Sequence, residues 1–342
     1  MKGNALTLLD EQDGRLRGYI TLLFRANLSL SRIYSIATHP EYVGKGVAAG
    51  LLMAAEQAAL KRSCVKMRLE IRKDNLVSQR LFQGRGYTIF GEHSKYYADG
   101  QDAFRLEKSL TRHLRPELAR APYYQQTLGF TCGPACLMMA MKAFDPGIPL
   151  DRTLELQLWR EATTIFMTAG HGGCGPHGLA LAAHRRGFRS EIYLKGRGVL
   201  FQDSVRSQEK RDVIGLVQDD FARLVAEAGI PIRNKLVGTA DLQKCFKAGG
   251  IPIVLISTYR LTRERAPHWV LITGCDEHYF YIHDPATAHG RTGDDCISMA
   301  ILKKDLAQMA RYGRHATQAA VVVYPPAGSH LLTSILRNGA AV

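Results

Sequence analysis

The sequence predicts an α+β protein of two domains, and three observations carry that prediction. A strand, a glycine-containing turn and an Ala/Leu/Met-rich helical run follow one another before residue 61. A second helical run, Pro134 to Ala143, opens the later part of the chain, and four strand-like runs, 251–257, 269–273, 279–283 and 319–324, gather near its end. With 342 residues, 46% hydrophobic and 22% charged, the chain has material for packed cores and a length suited to two domains.

Taken in order, residues 5–9 and 16–24 read as two strands, with Asp10 to Gly14 as the polar turn of a hairpin. Residues 32–38 read as a third strand, and Val47 to Leu60 as a helix. Val65 to Ile71 alternates like a strand, and Asn75 to Phe82 predicts a short helix ending near Gly84 and Gly86. This first domain covers 1–110; the charged, proline-containing stretch 111–121 is the expected linker. The second domain covers 122–326, with helices or loops down to about Val237 and the sheet after it, and 327–342 is a weakly held tail.

No apolar run reaches the roughly 18 residues of a membrane span, and Met1 to Asp13 lacks the pattern of a secretory signal, so a cytoplasmic protein is expected. Seven cysteines scattered through a long chain do not form a secreted disulfide framework. The formal charge of +14 falls on both domains and forms no basic tail. Such a surface can attract nucleic acid, ribosomes or acidic peptides, but no recognition motif accompanies it, so nucleic acid is not the expected main partner.

The chemistry-bearing segment begins at Tyr123 and runs through Gln126 to Cys132-Gly-Pro-Ala-Cys136. Pro134 suits the first position of a helix, and a thiol at that end meets unpaired backbone N–H groups and the positive end of the helix dipole, both of which favour thiolate. Gln126, in a glycine-containing loop six residues earlier, is the candidate oxyanion donor, with Gln125 second. The candidate base is His268, at the head of an apolar strand followed by a polar turn and a second strand ending at Asp284. If the turn centres on Asp276, His268 and Asp284 face each other across the hairpin, and the carboxylate orients the imidazole. The bland reading is a small buried cysteine and an ordinary strand-end histidine. Gln126, Cys132, His268 and Asp284 taken together outweigh it.

On those residues, the segment 121–325 resembles the bacteriocin-leader (double-glycine) peptidase family of the papain-like superfamily. The resemblance implies a papain-like fold, cleavage of a peptide or amide bond through a thioester, and the four functional positions on Gln126, Cys132, His268 and Asp284. A long insert between about 150 and 240 and the lack of a transporter segment depart from the family pattern, which argues against export-linked processing. Within that insert His171-Gly-Gly-Cys174-Gly-Pro-His177 carries metal-ligand residue types, and Cys132 with Cys136 offers a second pair. A glycine-rich loop and one helix face explain these more simply, Cys136 then being core, and no metal is assigned.

In the first domain, Val43-Gly44-Lys45-Gly46-Val47-Ala48 joins strand to helix through small residues, so that backbone N–H groups can face an anion such as a pyrophosphate. With Asn75 to Gly86 one strand later, residues 5–109 resemble the cofactor-binding part of GNAT superfamily acetyltransferases. The resemblance implies acetyl-CoA, its pyrophosphate on the backbone of Val43 to Ala48, added charge from Lys45, and Asn75 near the pantetheine arm. Three departures stand out. Val43 replaces the usual Arg or Gln, Phe82 stands where many members have an acid-competent Tyr, and the family's first strand and substrate-side helices have no counterpart ahead of residue 5.

The sequence therefore predicts a cysteine peptidase-like hydrolase acting on peptides or proteins, fused to an acetyl-CoA-dependent GNAT-like module. The alternatives are an acetyltransferase with a non-catalytic peptide-binding domain, a thiol acyltransferase or amide ligase on the same triad, and a basic interaction protein.

Overall fold

The computed structural model describes residues 4–24, 29–110, 121–164, 172–195, 200, 207–235, 238–258, 266–287, 293–312 and 316–328. It divides into two compact units near residue 114. The expected linker falls almost wholly outside the described residues, as does the tail from 329 onward.

The N-terminal unit is a six-stranded sheet in the order β1-β2-β3-β4-β6-β5. Its strands are β1 (Ala5–Gln12), β2 (Arg15–Phe24), β3 (Leu30–Thr38), β4 (Lys66–Arg72), β5 (Thr88–His93) and β6 (Ala103–Ser109). Helix α1 (Val47–Lys61) makes the crossover between β3 and β4, and α2 (Leu76–Gln83) follows β4. The first hairpin is tighter than the sequence predicts. Gln12 pairs with Arg15 and the turn shrinks to Asp13-Gly14, both at positive φ (52° and 73°). An Asp-Gly pair suits a two-residue mirror-image turn, so the polar residues Asp10 to Gln12 belong to the strand, where Asp10 pairs with Arg17. Strands β3 and β4 are parallel and pair only over Leu30–Arg32 and Lys66–Arg68. Leu51, Leu52, Ala55 and Ala59 of α1 pack with Ile20, Leu22, Met67 and Phe82 in this unit's core.

The C-terminal unit contains helices α3 (Cys132–Phe144), α4 (Arg152–Ala162), α5 (Pro176–His184), α6 (Gln208–Glu227), α7 (Thr239–Lys247) and α8 (Lys303–Met309). Its strands are β7 (Arg189–Lys195), β8 (Ile232–Arg233), β9 (Ile251–Ser257), β10 (Pro267–Cys275), β11 (Tyr279–His283), β12 (Met299–Leu302) and β13 (Gln318–Tyr324). They form one sheet in the order β12-β11-β10-β9-β13-β7-β8. Helices do not simply precede the sheet. β7 lies among them in sequence and pairs antiparallel with β13 along its whole length. The stretch expected to be an insert is integral to the fold. Leu154, Leu158, Leu179, Ile192, Phe221 and Val225 all lie in the same buried cluster as α3 and the central strands.

Helix α3 is buried along nearly its whole length, between β9 and β10 on one side and α4 and α5 on the other. A helix apolar all round is stable only when covered on all sides, which fixes both its place and that of the residues at its start. Gly133 permits the close approach. A Cβ there would lie 3.2 Å from the Trp269 ring and 3.3 Å from both Cys174 and Leu179.

Candidate active site

Three pieces of backbone converge in the C-terminal unit: the start of α3, the start of β10 and the residue after β11. The helix begins two residues earlier than Pro134 predicts, so Cys132 is its first residue and the proline sits in the first turn, where no N–H is missed. Cys132 is 8% exposed, His268 7%, and Asp284 is fully buried. His268 Nε2 lies 2.7 Å from Asp284 Oδ1. The other side of the ring, Nδ1, is left to hydrogen-bond Cys132. Asp284 is itself held, its Oδ1 accepting from the Ala286 N–H at 2.9 Å and its own N–H donating to the Cys296 carbonyl at 3.0 Å.

The pair forms by a different register from the one the sequence suggests. The hairpin pairs Leu271 with His283 and Ile272 with Ile282, and slips by one at a bulge before the pairing of Gly274 with Tyr281. Continued past β11, this register sets Asp284 opposite Val270 and diagonal to His268. Diagonal neighbours share a sheet face and lie within reach of long side chains, so the imidazole still meets the carboxylate.

Burial favours neutral forms, yet the opposite charges prevail here. Burial raises the Cys132 thiol, but the His268 charge and hydrogen bond, with backbone groups of Trp269 and Gly133, carry its pKa below the ordinary value. Burial likewise disfavours the His268 cation, and the charges of Asp284 and Cys132 overcome it, lifting the imidazole to about 10. The site is thus set up as a thiolate–imidazolium pair. Cys136 and Cys174 are buried thiols pushed well upward, the Cys136 thiol donating to the Trp269 carbonyl at 3.4 Å.

Gln126 has its backbone N–H on the Pro285 carbonyl at 3.0 Å and its Nε2 on the Leu128 carbonyl at 2.8 Å, while Oε1 is buried without a hydrogen-bond partner among the described residues. It is therefore tied to the segment just after Asp284, although no hydrogen bond joins its amide to Cys132 among these contacts. Gln125 Oε1 lies 3.7 Å from where a Cβ on Gly293 would sit. Sequence reasoning missed Glu155, a fully buried carboxylate of α4 that takes hydrogen bonds from Tyr124, Thr127 and Thr131. A glutamate in a mixed helical run reads as a solvated face, and only the fold reveals its partners.

Beside Asp284, His283 is a distinct case. It faces the Ala121 carbonyl and accepts from the Ser298 N–H at 3.0 Å, and burial lowers its pKa to about 4, so it is neutral. Of the segment considered for metal, His171 lies outside the described residues, and Cys174 and His177 are buried around the start of α5. Among the described residues no three His, Cys, Asp or Glu side chains are grouped to hold a metal ion, and no helix is long and apolar enough to cross a membrane.

In the N-terminal unit, Gly44 and Gly46 adopt φ of 80° and 82°, and a Cβ on either would meet nothing within 4 Å. The Val43 and Lys45 N–H groups close the turn onto Pro40 and Tyr42, whereas the first-turn N–H groups of α1, at Val47 and Ala48, have no intrahelical partner to reach. An open glycine loop leading into such a helix start suits a pyrophosphate. Lys45 Nζ stands 5.2 Å from the Tyr42 ring. Asn75 caps α2, its Oδ1 accepting from Ser78 N–H at 3.0 Å. Phe82 is buried against Tyr87, whose hydroxyl is bound to Glu56 and Met67, burial raising its pKa strongly, so neither offers an exposed acid.

Comparison with known proteins agrees with these two units. Residues 121–324 match the model of the Peptidase_C39 like family, and residues 2–87 that of the acetyltransferase (GNAT) family. An uncharacterized N-acetyltransferase of Methanocaldococcus jannaschii is 33% identical over 99 residues, 29% of this chain and 62% of that protein. The catalytic subunit of the N-terminal acetyltransferase A complex of Arabidopsis thaliana is 31% identical over 110 residues, 31% of this chain and 57% of that protein. The chain thus spans about three fifths of the length of these relatives. Among solved structures, the ribosomal-protein-S18-alanine N-acetyltransferase of Escherichia coli matches at 22% identity and a TM-score of 0.30, over 32% of this chain and 72% of that one. A GNAT domain followed by a domain whose family model matches 121–324 places the chain in the Peptidase_C39 like family.

Proposed function

We propose that the C-terminal unit is a cysteine hydrolase that cleaves a peptide or amide bond of a polypeptide through a thioester on Cys132. The observation that carries this reading is the His268–Asp284 pair at 2.7 Å with the other face of the imidazole on Cys132. The Cys132 thiolate attacks the scissile carbonyl carbon, and the carbonyl π pair moves onto oxygen. His268 then gives its Nδ1 proton to the leaving amine as the C–N bond breaks, leaving a thioester. In the second half His268 takes a proton from water, hydroxide adds to the thioester, and collapse releases the carboxylate and the thiolate. Asp284 holds the imidazole in the tautomer with Nε2–H toward the carboxylate throughout. Gln126 is assigned to the oxyanion.

The test is iodoacetamide labelling of the purified protein at pH about 6, where an ordinary thiol of pKa about 8.5 is almost wholly protonated. Rapid modification of Cys132 alone, lost in His268→Ala, supports the reading; slow labelling spread over several cysteines refutes it. Product masses with and without an added amine then separate hydrolysis from acyl transfer.

A second reading belongs to the N-terminal unit, whose GNAT relatives favour acetyl-CoA-dependent N-acetylation. Gly44, Gly46, Val47 and Ala48 would hold the pyrophosphate through backbone N–H groups, with Lys45 adding charge and Asn75 bordering the pantetheine arm. The bound cofactor would supply the acetyl group. Calorimetric titration with coenzyme A tests this, and no heat of binding would leave the unit a structural one.

A further inference from the structure

Glu155 has no part in the thiol chemistry, yet it is buried to 0% exposure. Its Oε1 accepts from the Thr127 N–H at 2.8 Å and from the Thr131 hydroxyl. Its Oε2 accepts from the Thr127 hydroxyl at 2.7 Å and the Tyr124 hydroxyl at 3.0 Å. These four donors use both carboxylate oxygens in the two directions each offers. All four come from 124–131, the loop that contains Gln126 and ends at the residue before Cys132. The loop is also tied by the Gln126 N–H on the Pro285 carbonyl, beside Asp284, and by Phe130 against the Trp159 ring of α4. A buried carboxylate is costly without full hydrogen bonding, so the loop conformation that supplies four donors is strongly preferred over any that supplies fewer.

We propose that Glu155 is a positioning residue of the Cys132 site, holding the 124–131 loop so that the Gln126 amide meets the oxyanion of a carbonyl under attack. The inference rests on the cysteine hydrolase reading above. It concerns only the oxyanion side of the site, because none of the four donors belongs to Cys132, His268 or Asp284. Glu155 therefore governs carbonyl addition and not thiolate formation, and two probes separate these. Iodoacetamide is displaced at a saturated carbon and reports the thiolate. N-acetylglycinal accepts the thiolate at its aldehyde carbon: a C–S bond forms, the carbonyl π pair moves to oxygen, and His268 protonates that oxygen to give a hemithioacetal that shields Cys132 from alkylation.

The experiment measures, on the full chain, the iodoacetamide rate at Cys132 from pH 6 to 9 and its suppression by N-acetylglycinal. Glu155→Gln keeps the side-chain shape but replaces one acceptor oxygen by an NH2, so the Tyr124 and Thr127 hydroxyls lose the acceptor they donate to. The expected result is an alkylation rate within about twofold of wild type with an unmoved acid limb, and aldehyde affinity lower by about 10-fold. Gln126→Ala lowers that affinity by about 10- to 100-fold, and adding Glu155→Gln to it changes little more, because one acts through the other. Wild-type affinity in Glu155→Gln, losses that multiply in the double variant, or a shifted acid limb each overturns the proposal. So does a wild-type protein whose Cys132 alkylates selectively but gains no protection from the aldehyde. Should Glu155→Gln lose its cooperative melt, Tyr124→Phe removes one donor and leaves the carboxylate, with about a threefold loss expected and wild-type affinity overturning the proposal. If wild-type Cys132 is not selectively alkylated at all, the cysteine hydrolase reading falls first, an outcome distinct from the others.

Discussion

The two units of this chain carry candidate sites of opposite construction. In the N-terminal unit the glycine loop is backbone and open: Gly44 and Gly46 have no neighbour within 4 Å of a would-be Cβ, and Val43 is 62% exposed. In the C-terminal unit the site is side chains and closed, with Cys132, His268 and Asp284 all under 9% exposed and each held by the other two or by backbone. Backbone donors tolerate side-chain change, since no substitution removes an N–H except proline. A buried charged pair tolerates very little, because removing one partner strands the other.

The largest test of that contrast is His268→Ala. Without the imidazolium, Cys132 reverts to a buried, ordinary thiol, and its iodoacetamide rate at pH 6 falls by about 100-fold or more. A smaller loss would show that the helix start alone sustains the thiolate. Next is Gly178→Ala in α5, where a Cβ would sit 2.6 Å from the Ala162 backbone, closer than packing allows. A loss of about 1–3 kcal/mol in denaturant melts of the C-terminal unit is expected. Asp284→Asn comes third. The imidazole, held charged up to about 10 by Asp284 and Cys132, loses an anion, so its pKa falls and the thiol pKa rises with it. The acid limb of the alkylation profile moves to higher pH, with about a tenfold slower rate at pH 6. Asn75→Ala removes the cap of α2 and lowers N-terminal stability by about 1 kcal/mol, read by denaturant melts, while Cys132 alkylation stays at the wild-type rate. The smallest effect is Lys45→Ala, an exposed point charge beside backbone donors, which weakens coenzyme A binding by about twofold to fivefold in calorimetry, and less at high salt.

How much of this was legible in the sequence follows the same division. Runs rich in β-branched or small apolar residues declare themselves, so β9, β13, α1 and α3 lie within a few residues of where periodicity puts them. Strands β5 and β6 escape because Thr88–His93 is short and broken by Gly91, and Ala103–Ser109 carries Arg105, Glu107 and Lys108, of which Arg105 is buried in the fold although its residue type reads as exposed. Asp-Gly at 13–14 set the first hairpin, but the second hides a bulge between Ile272 and Gly274 that no spacing rule detects, so His268 and Asp284 meet diagonally instead of face to face. Cys132, before Gly-Pro at a helix start, is locally visible. Glu155 is not, because its partners Tyr124, Thr127 and Thr131 lie a loop and a helix away, and nothing near it in sequence marks it as buried.

The bridge between α3 and β10 has a consequence for how the chain comes to life. Cys132 is synthesised before His268, and the strand that bears His268 emerges only after several intervening helices. Until β10 docks beside that helix, the thiol has no imidazolium and is as inert as any other cysteine at neutral pH. Such non-local pairings close late in folding. A nascent or misfolded copy would therefore carry the nucleophile in a disarmed form, and thiol reactivity becomes a clock for the completion of the sheet.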